Sequence, residues 1–214
     1  MKKISLIALL GLVVFDAHAV NLRQYASVKL LAPVSNKTEI KESFTLYDHG
    51  TGTTYFEEFK EDEDMETVNA LSLAYGVQLA DARVELEYNH YFGASEIGDT
   101  GLKLQNYALF ANAYYDFKTN SPFTPYVGAG IGYNQQELSA EGESETLRSA
   151  AWKLMVGTGW KVNNMLTLDL GYRYVNFGST EYSEYFFDGI YDYNIELEFA
   201  NVAHELMLGA RISF

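Results

Sequence analysis

The feature that most constrains this chain is an alternation with a period of two that recurs, segment after segment, with charge on one face and apolar side chains on the other. In Ala82–His90, Ala82, Val84, Leu86, Tyr88 and His90 share a face, while Arg83, Glu85, Glu87 and Asn89 share the opposite one. Side chains that alternate across a backbone in this way belong to a strand, not a helix. A soluble sandwich turns such a charged face to water and its apolar face inward. A membrane barrel inverts the two, with apolar residues toward lipid and polar residues toward the lumen.

The same pattern returns along the chain. Strands are expected over Gln24–Val34, Ala70–Leu79, Ala82–His90, Asn106–Asp116, Thr124–Tyr133, Trp152–Val162, Leu166–Val175 and Ala200–Phe214. Pro33 lacks a backbone donor, so it marks a strand end or a bulge. Short connections are expected at Ala80-Asp81, Lys118–Pro122 and Asn163-Asn164, where Asn tolerates positive φ. Long polar loops are expected over Ser35–Met65, Gly93–Gly101, Glu137–Glu145 and Phe177–Ile195. Long and short connections therefore alternate, as in a barrel with short periplasmic turns and long external loops. Strands of about ten residues match the length that a tilted membrane-spanning strand requires. The expected fold is an all-β, eight-stranded, antiparallel up-and-down transmembrane β-barrel. Closing the first strand on the last removes the open edges that lipid does not tolerate.

The N-terminus reads as a secretory signal peptide, residues 1–19, with Lys2 and Lys3, an apolar stretch Ile4–Phe15, and the cleavage pattern Ala17-His18-Ala19. The barrel domain is then residues 20–214, exported without a helical anchor. The sequence has no cysteine, so pairing and packing must hold the exported chain together. A formal net charge of −14 argues against nucleic acid as a partner, because phosphates would repel it. The 17 Tyr and 13 Phe suit strands and the aromatic girdles at the two bilayer interfaces.

The stretch Asn112–Phe117, followed after a short turn by Pro122–Tyr133 with its Pro-Tyr-Val-Gly-Ala-Gly-Ile-Gly-Tyr ending, resembles the opacity-type family of surface barrels. In architecture these are similar to the OmpA membrane domain and OmpX. The terminal strand, with Leu206, Leu208, Ala210, Ile212 and Phe214 on one face, resembles the assembly signal of outer-membrane barrels. The resemblance implies an integral protein of the bacterial outer membrane, in contact with its lipid and lipopolysaccharide. It also implies insertion by the outer-membrane assembly machinery and a structural or adhesive role through loops that meet host or cell-surface ligands.

Several constellations are candidates for function. Arg83, Glu85, Glu87, Lys153, Lys161, Asp169, Arg173, Glu205 and Arg211 fall on expected lumen faces. They form either a polar pore, as in a narrow porin, or a plug of paired charges, since an eight-stranded barrel is just wide enough for its side chains to fill. External acidic loops carry Glu57, Glu58, Glu61, Asp62, Glu63, Asp64, Glu141, Glu143 and Glu145, with Asp188 and Asp192 in the last loop. A solvated rim, a divalent cation bridging to lipopolysaccharide and docking to a basic host surface are all open readings of this acidity. Gly128, Gly130 and Gly132 lack the spacing and following helix of a nucleotide loop and instead leave room for neighbours. His49, His90 and His204 could serve an outer-membrane lipid-modifying enzyme, but no Ser or acid stands beside them at a motif spacing. No enzyme activity, cofactor or metal is expected.

Overall fold

The computed structural model describes residues 22–64, 68–92, 95–96, 103–140 and 143–214. The expected signal peptide and Glu141 lie outside the described residues. The regular structure of the described residues is antiparallel strand: β1 Leu22–Asp48, β2 Thr53–Asp64, β3 Ala70–Leu79, β4 Ala82–Tyr91, β5 Ser95–Glu96, β6 Lys103–Asp116, β7 Phe123–Ala140, β8 Glu143–Lys161, β9 Leu166–Phe187 and β10 Tyr191–Ser213. The order β10-β9-β8-β7-β6-β4-β3-β1 closes by pairing of β10 with β1, which makes an eight-stranded ring. β5 is a short partner of β6, and β2 lies outside the ring against β1.

The wall is inverted relative to a soluble domain. One row of large apolar side chains faces outward, Ile131 at 73% exposure and Leu30, Leu154, Leu170 and Leu208 all above half. In the lumen Glu87, Lys153, Arg173 and Glu205 are fully buried beside Tyr25, Phe110, Tyr114, Tyr126 and Met207. The outward face carries aromatic clusters near both ends. Phe123 stacks on Trp160 and Tyr115 meets Phe117 at the short-turn end; Trp152, Tyr174 and His204 meet at the other. Trp160 lies eight positions beyond Trp152 on β8, roughly 26 Å along the strand, which at a tilt of about 40° places the two aromatic clusters about 20 Å apart in height, within an apolar band about 25 Å tall.

The connections at one end are as short as expected, and Ala80 turns the β3–β4 hairpin with a φ of 51°. At the other end the expected loops are corrected. β1 continues to Asp48 and returns as β2, β7 and β8 reach Ala140 and Glu143, and β9 and β10 meet at a turn around Asp188–Ile190. Alternation fades there because both faces of these extensions meet water, so nothing selects apolar residues at every second position. The residues are nonetheless good strand formers, among them Thr38, Ile40, Phe44, Thr45 and Tyr47 on β1.

Pro33 does mark a bulge, with a register shift against β10 between Pro33 and Ser35, but the strand runs on through it. β10 carries its own shift against β9 between Ala200 and Val202. Bulges bend and twist a strand. Beyond them Lys37–Asp48 lies between β2 and the outer half of β10, giving an outer sheet ordered β2-β1-β10-β9.

Candidate functional site

Two regions concentrate the chemistry: the lumen, and the outer sheet above it. The lumen is built around Glu87 of β4. Its carboxylate accepts from Lys29 Nζ at 2.7 Å, Lys153 Nζ at 2.7 Å, Arg173 Nη1 at 2.8 Å and Asn112 Nδ2 at 3.0 Å. One layer toward the short turns, Glu85 accepts from Lys29 Nζ at 2.5 Å, Tyr114 Oη at 3.0 Å and Asn112 Nδ2 at 3.2 Å. On the other side Arg173 Nε donates to Glu205, which also accepts from Tyr91 Oη at 3.0 Å. Lys153 Nζ stands 4.1 Å from the centre of the Phe110 ring, so its remaining side meets a π face.

Closer to the short turns, Arg83 Nε donates to both oxygens of Asp116 at 2.9 and 2.8 Å, with its guanidinium 4.4 Å from the Tyr114 ring. Arg211 Nη2 donates to Asp169 Oδ1 at 3.1 Å. Lys29, Arg83, Lys153, Arg173 and Arg211 are thus matched by Glu85, Glu87, Asp116, Asp169 and Glu205, and the plug is formally neutral. That balance is what permits burial, since a single unpaired charge in this position would be strongly destabilising.

Eight of the expected lumen charges, Arg83, Glu85, Glu87, Lys153, Asp169, Arg173, Glu205 and Arg211, are therefore brought together. Lys161 is not. It has the right parity, but it is the last residue of β8 and stands exposed at the mouth, without an ion-pair partner among the described residues. Lys29 and Asp116 were missed. Their signal was the same parity: Lys29 shares a face with Tyr25 and Ser27, and Asp116 with Asn112 and Tyr114.

The glycines of β7 do leave room. A Cβ at Gly128 would stand 2.5 Å from Tyr114 Cδ1, and one at Gly130 or Gly132 would collide with Asn112 or Phe110. The side chains that line β6 project across β7 because nothing projects back.

In the outer sheet, Glu57, Glu58, Glu61 and Asp62 lie on a strand, not in a loop, and β2 pairs along its length with Lys37–Asp48. Glu58 takes Lys41 and Lys60 at 3.3 Å each, and the hydrogen bond from Lys41 is the chief cause holding its carboxyl below the usual range. Glu63 and Asp64 end β2, whereas Glu143 and Glu145 begin β8 on a different hairpin. No group of three or more residues suited to hold a metal occurs among the described residues. Asp192 accepts from Tyr185 Oη and meets His49 Nε2 at 2.8 Å, and these contacts, Tyr185 first, hold its carboxyl down. His90 stacks on Tyr107, and His204 hydrogen-bonds Tyr172. Exposed Tyr55, Phe56 and Phe59 stud β2, and Tyr185, Phe186 and Phe187 the end of β9.

A sequence profile of the "Opacity family porin protein" matches residues 75–199, more than half of the chain. The chain belongs to the opacity family. Among curated relatives, outer membrane protein PagN of Salmonella typhimurium is 29% identical over 113 residues, covering 48% of this chain and 47% of PagN. Opacity protein opA67 of Neisseria gonorrhoeae is 26% identical over 158 residues, covering 59% of this chain and 61% of that protein. The chain thus spans about half the length of the curated relatives it matches. Neisserial surface protein A shares the fold with a TM-score of 0.52 at 21% identity, over 86% of this chain and 99% of that structure. OprG of Pseudomonas aeruginosa does so with a TM-score of 0.53 at 14% identity, over 90% and 95%. This opacity-family protein is an integral β-barrel of the bacterial outer membrane, which sets its short turns in the periplasm and its outer sheet outside the cell.

Proposed function

We propose that the protein is a surface recognition and adhesion barrel whose lumen is a closed plug and whose outer sheet, above all the acidic strand β2, is the contact surface. The observation that carries the reading is the continuation of β9, β10 and β1 beyond the membrane into a sheet edged by β2, with acidic and exposed aromatic side chains on the same strand. A sheet presents these side chains on a backbone already ordered, so binding forfeits less conformational freedom than a disordered loop would. The preponderance of Glu and Asp on β2 suits a basic partner surface, and the aromatic rings supply apolar contact area. The outward row Leu206, Leu208, Ala210, Ile212 and Phe214 serves as lipid contact and as the signal offered to the assembly machinery. A lipid-modifying activity is not part of the reading, because the carboxylate beside His49 is shared with a tyrosine, and His90 and His204 meet aromatic partners.

The test is adhesion to cultured host cells by a non-adherent bacterium expressing the intact protein. Reversing Glu57, Glu58, Glu61 and Asp62 to Lys should abolish the adhesion gained. Equal adhesion by wild type and the reversed variant, at equal surface amounts, overturns the role of β2. Purified protein in planar bilayers should give no stable conductance. A steady, voltage-independent current would instead establish the narrow porin.

A further inference from the structure

At the periplasmic end the lumen opens into a polar cavity of about 150 Å³, lined by Arg23, Gln78, Asp116, Lys161, Thr167 and Arg211 among others. Its charge is the reverse of the outer sheet. Asp116 is already engaged, both oxygens by Arg83 Nε and one of them also by Gln78 Nε2 at 3.3 Å. Arg211 uses Nη2 on Asp169, but its Nε–H has no acceptor on the protein although the residue is only 7% exposed. Arg23 donates to the carbonyl of Asn164, a neutral acceptor. Lys161 has no ion-pair partner among the described residues. Two cations without counterions and one buried, unanswered guanidinium N–H thus line the same small space, in a protein whose formal net charge is −14. Gly159 leaves room for the Arg211–Asp169 pair: a Cβ there would stand 3.0 Å from Asp169 Oδ1 and 3.1 Å from Arg211 Nη2.

We propose that this mouth is a binding site for a phosphate oxyanion presented from the periplasmic side, held by Arg23, Lys161 and the Nε–H of Arg211. Guanidinium groups offer donors in a fixed planar array that suits phosphate oxygens, and a bound anion would relieve the repulsion between the unpaired cations. The phosphate can come from solution or from the headgroup of a phospholipid in the periplasmic leaflet. Neither source depends on the outer sheet, so this proposal and the adhesive reading stand or fall separately.

The experiment follows the Nε–Hε resonance of Arg211 by NMR in the full barrel. One arm uses a phosphate-free detergent titrated with inorganic phosphate; the other uses nanodiscs of phosphatidylglycerol with no free phosphate. A saturable shift in the first arm assigns a soluble anion, and a shift in the second assigns the headgroup; either supports the site. Lys161→Gln and Arg23→Gln, both at water-exposed positions of the mouth, should each weaken the affinity by roughly fivefold, the scale of one solvent-accessible charge-assisted contact. Absence of a shift in both arms overturns the proposal, and so does a shift unaffected by either substitution in a barrel whose gel mobility shows it folded.

Discussion

Replacing Glu87 by Gln keeps the shape of the plug's central side chain and removes its charge. The carboxylate answers Lys29, Lys153 and Arg173 within 2.7 to 2.8 Å, with no exposure at all. The variant therefore leaves a net positive charge inside a filled lumen, for which the expected loss is about 3–5 kcal/mol. With a urea m-value of about 2 kcal/mol/M, the unfolding midpoint in lipid vesicles should fall by roughly 1.5–2.5 M. Tryptophan fluorescence and the gel shift of folded against heated barrel both report the transition. Adding Lys153→Met restores neutrality, leaving Lys29 and Arg173 against Glu85 and Glu205, and keeps a side chain of similar length against Phe110. Glu87→Gln/Lys153→Met should be more stable than Glu87→Gln alone by about 2 kcal/mol, because it leaves no unpaired charge in the lumen, and the two losses are then far from additive. Simple additivity of the two losses would refute a lumen held by charge balance, and so would a Glu87→Gln midpoint within 0.3 M, by order of magnitude, of wild type.

Three other perturbations probe different parts of the molecule. Gly132→Val should impair folding through collision with Phe110 and the Leu109 carbonyl, an overpacking cost of about 1–3 kcal/mol; an unchanged folded fraction on gels after refolding would contradict the packing described for β7. In the β9–β10 turn, Asp188 accepts from the amides of Tyr191 and Ile190 at 2.8 and 3.0 Å, and these bonds, Tyr191 first, hold its carboxyl below its ordinary value of 3.8. Because the folded value is the lower one, the turn gains stability above 3.8 and loses it as pH falls through the folded value. The amide signals of Ile190 and Tyr191 should stay put at mildly acidic pH and move only below that value, and movement already complete above it would reverse the sign. Deleting Phe214, whose amide donates to the Gln24 carbonyl at 3.0 Å, should lower the outer-membrane yield more than any single substitution in the outer sheet; equal yields would remove the terminal residue from the assembly signal.

The barrel wall was legible because lipid on one side and a crowded lumen on the other impose opposite demands at alternate positions. Arg83, Glu85 and Glu87 on one face, against Val84 and Leu86 on the other, carry that demand openly. Parity gives a side chain's face but not its depth, so Lys161 shares the face of the plug and yet stands in water at the mouth. Lys29 went unnoticed for a related reason: one lysine between Ser27 and Leu31 does not announce the two carboxylates across the lumen that it joins. The outer sheet was illegible because water bathes both its faces. Ser43 to Tyr47 and Tyr55 to Lys60 show strand propensity without a steady period, so their pairing was fixed by the continuation of β1 and β10 rather than by any local pattern.

That continuation separates stability from recognition. β1 pairs with β10 from Tyr25 opposite Ser213 up to Asp48 opposite Tyr191, and one ladder joins the plug to the sheet outside the cell. The ion pairs that lock the lumen lie at the level of Pro33 or below it, with Glu205 opposite Pro33 itself, whereas β2 touches β1 only above the bulge, from Lys37 to Asp48. Because Lys37 faces Asp64 across that hairpin, residues 37–64 can be removed as a unit with their ends already adjacent. The shortened chain keeps every buried pair of the lumen and the β1–β10 ladder below the excision. Its urea midpoint should stay within about 0.5 M of wild type, since regions that open locally contribute little to the global transition. Adhesion should be lost with the acidic strand. A large fall in midpoint would show that the outer sheet braces the barrel instead of being carried by it.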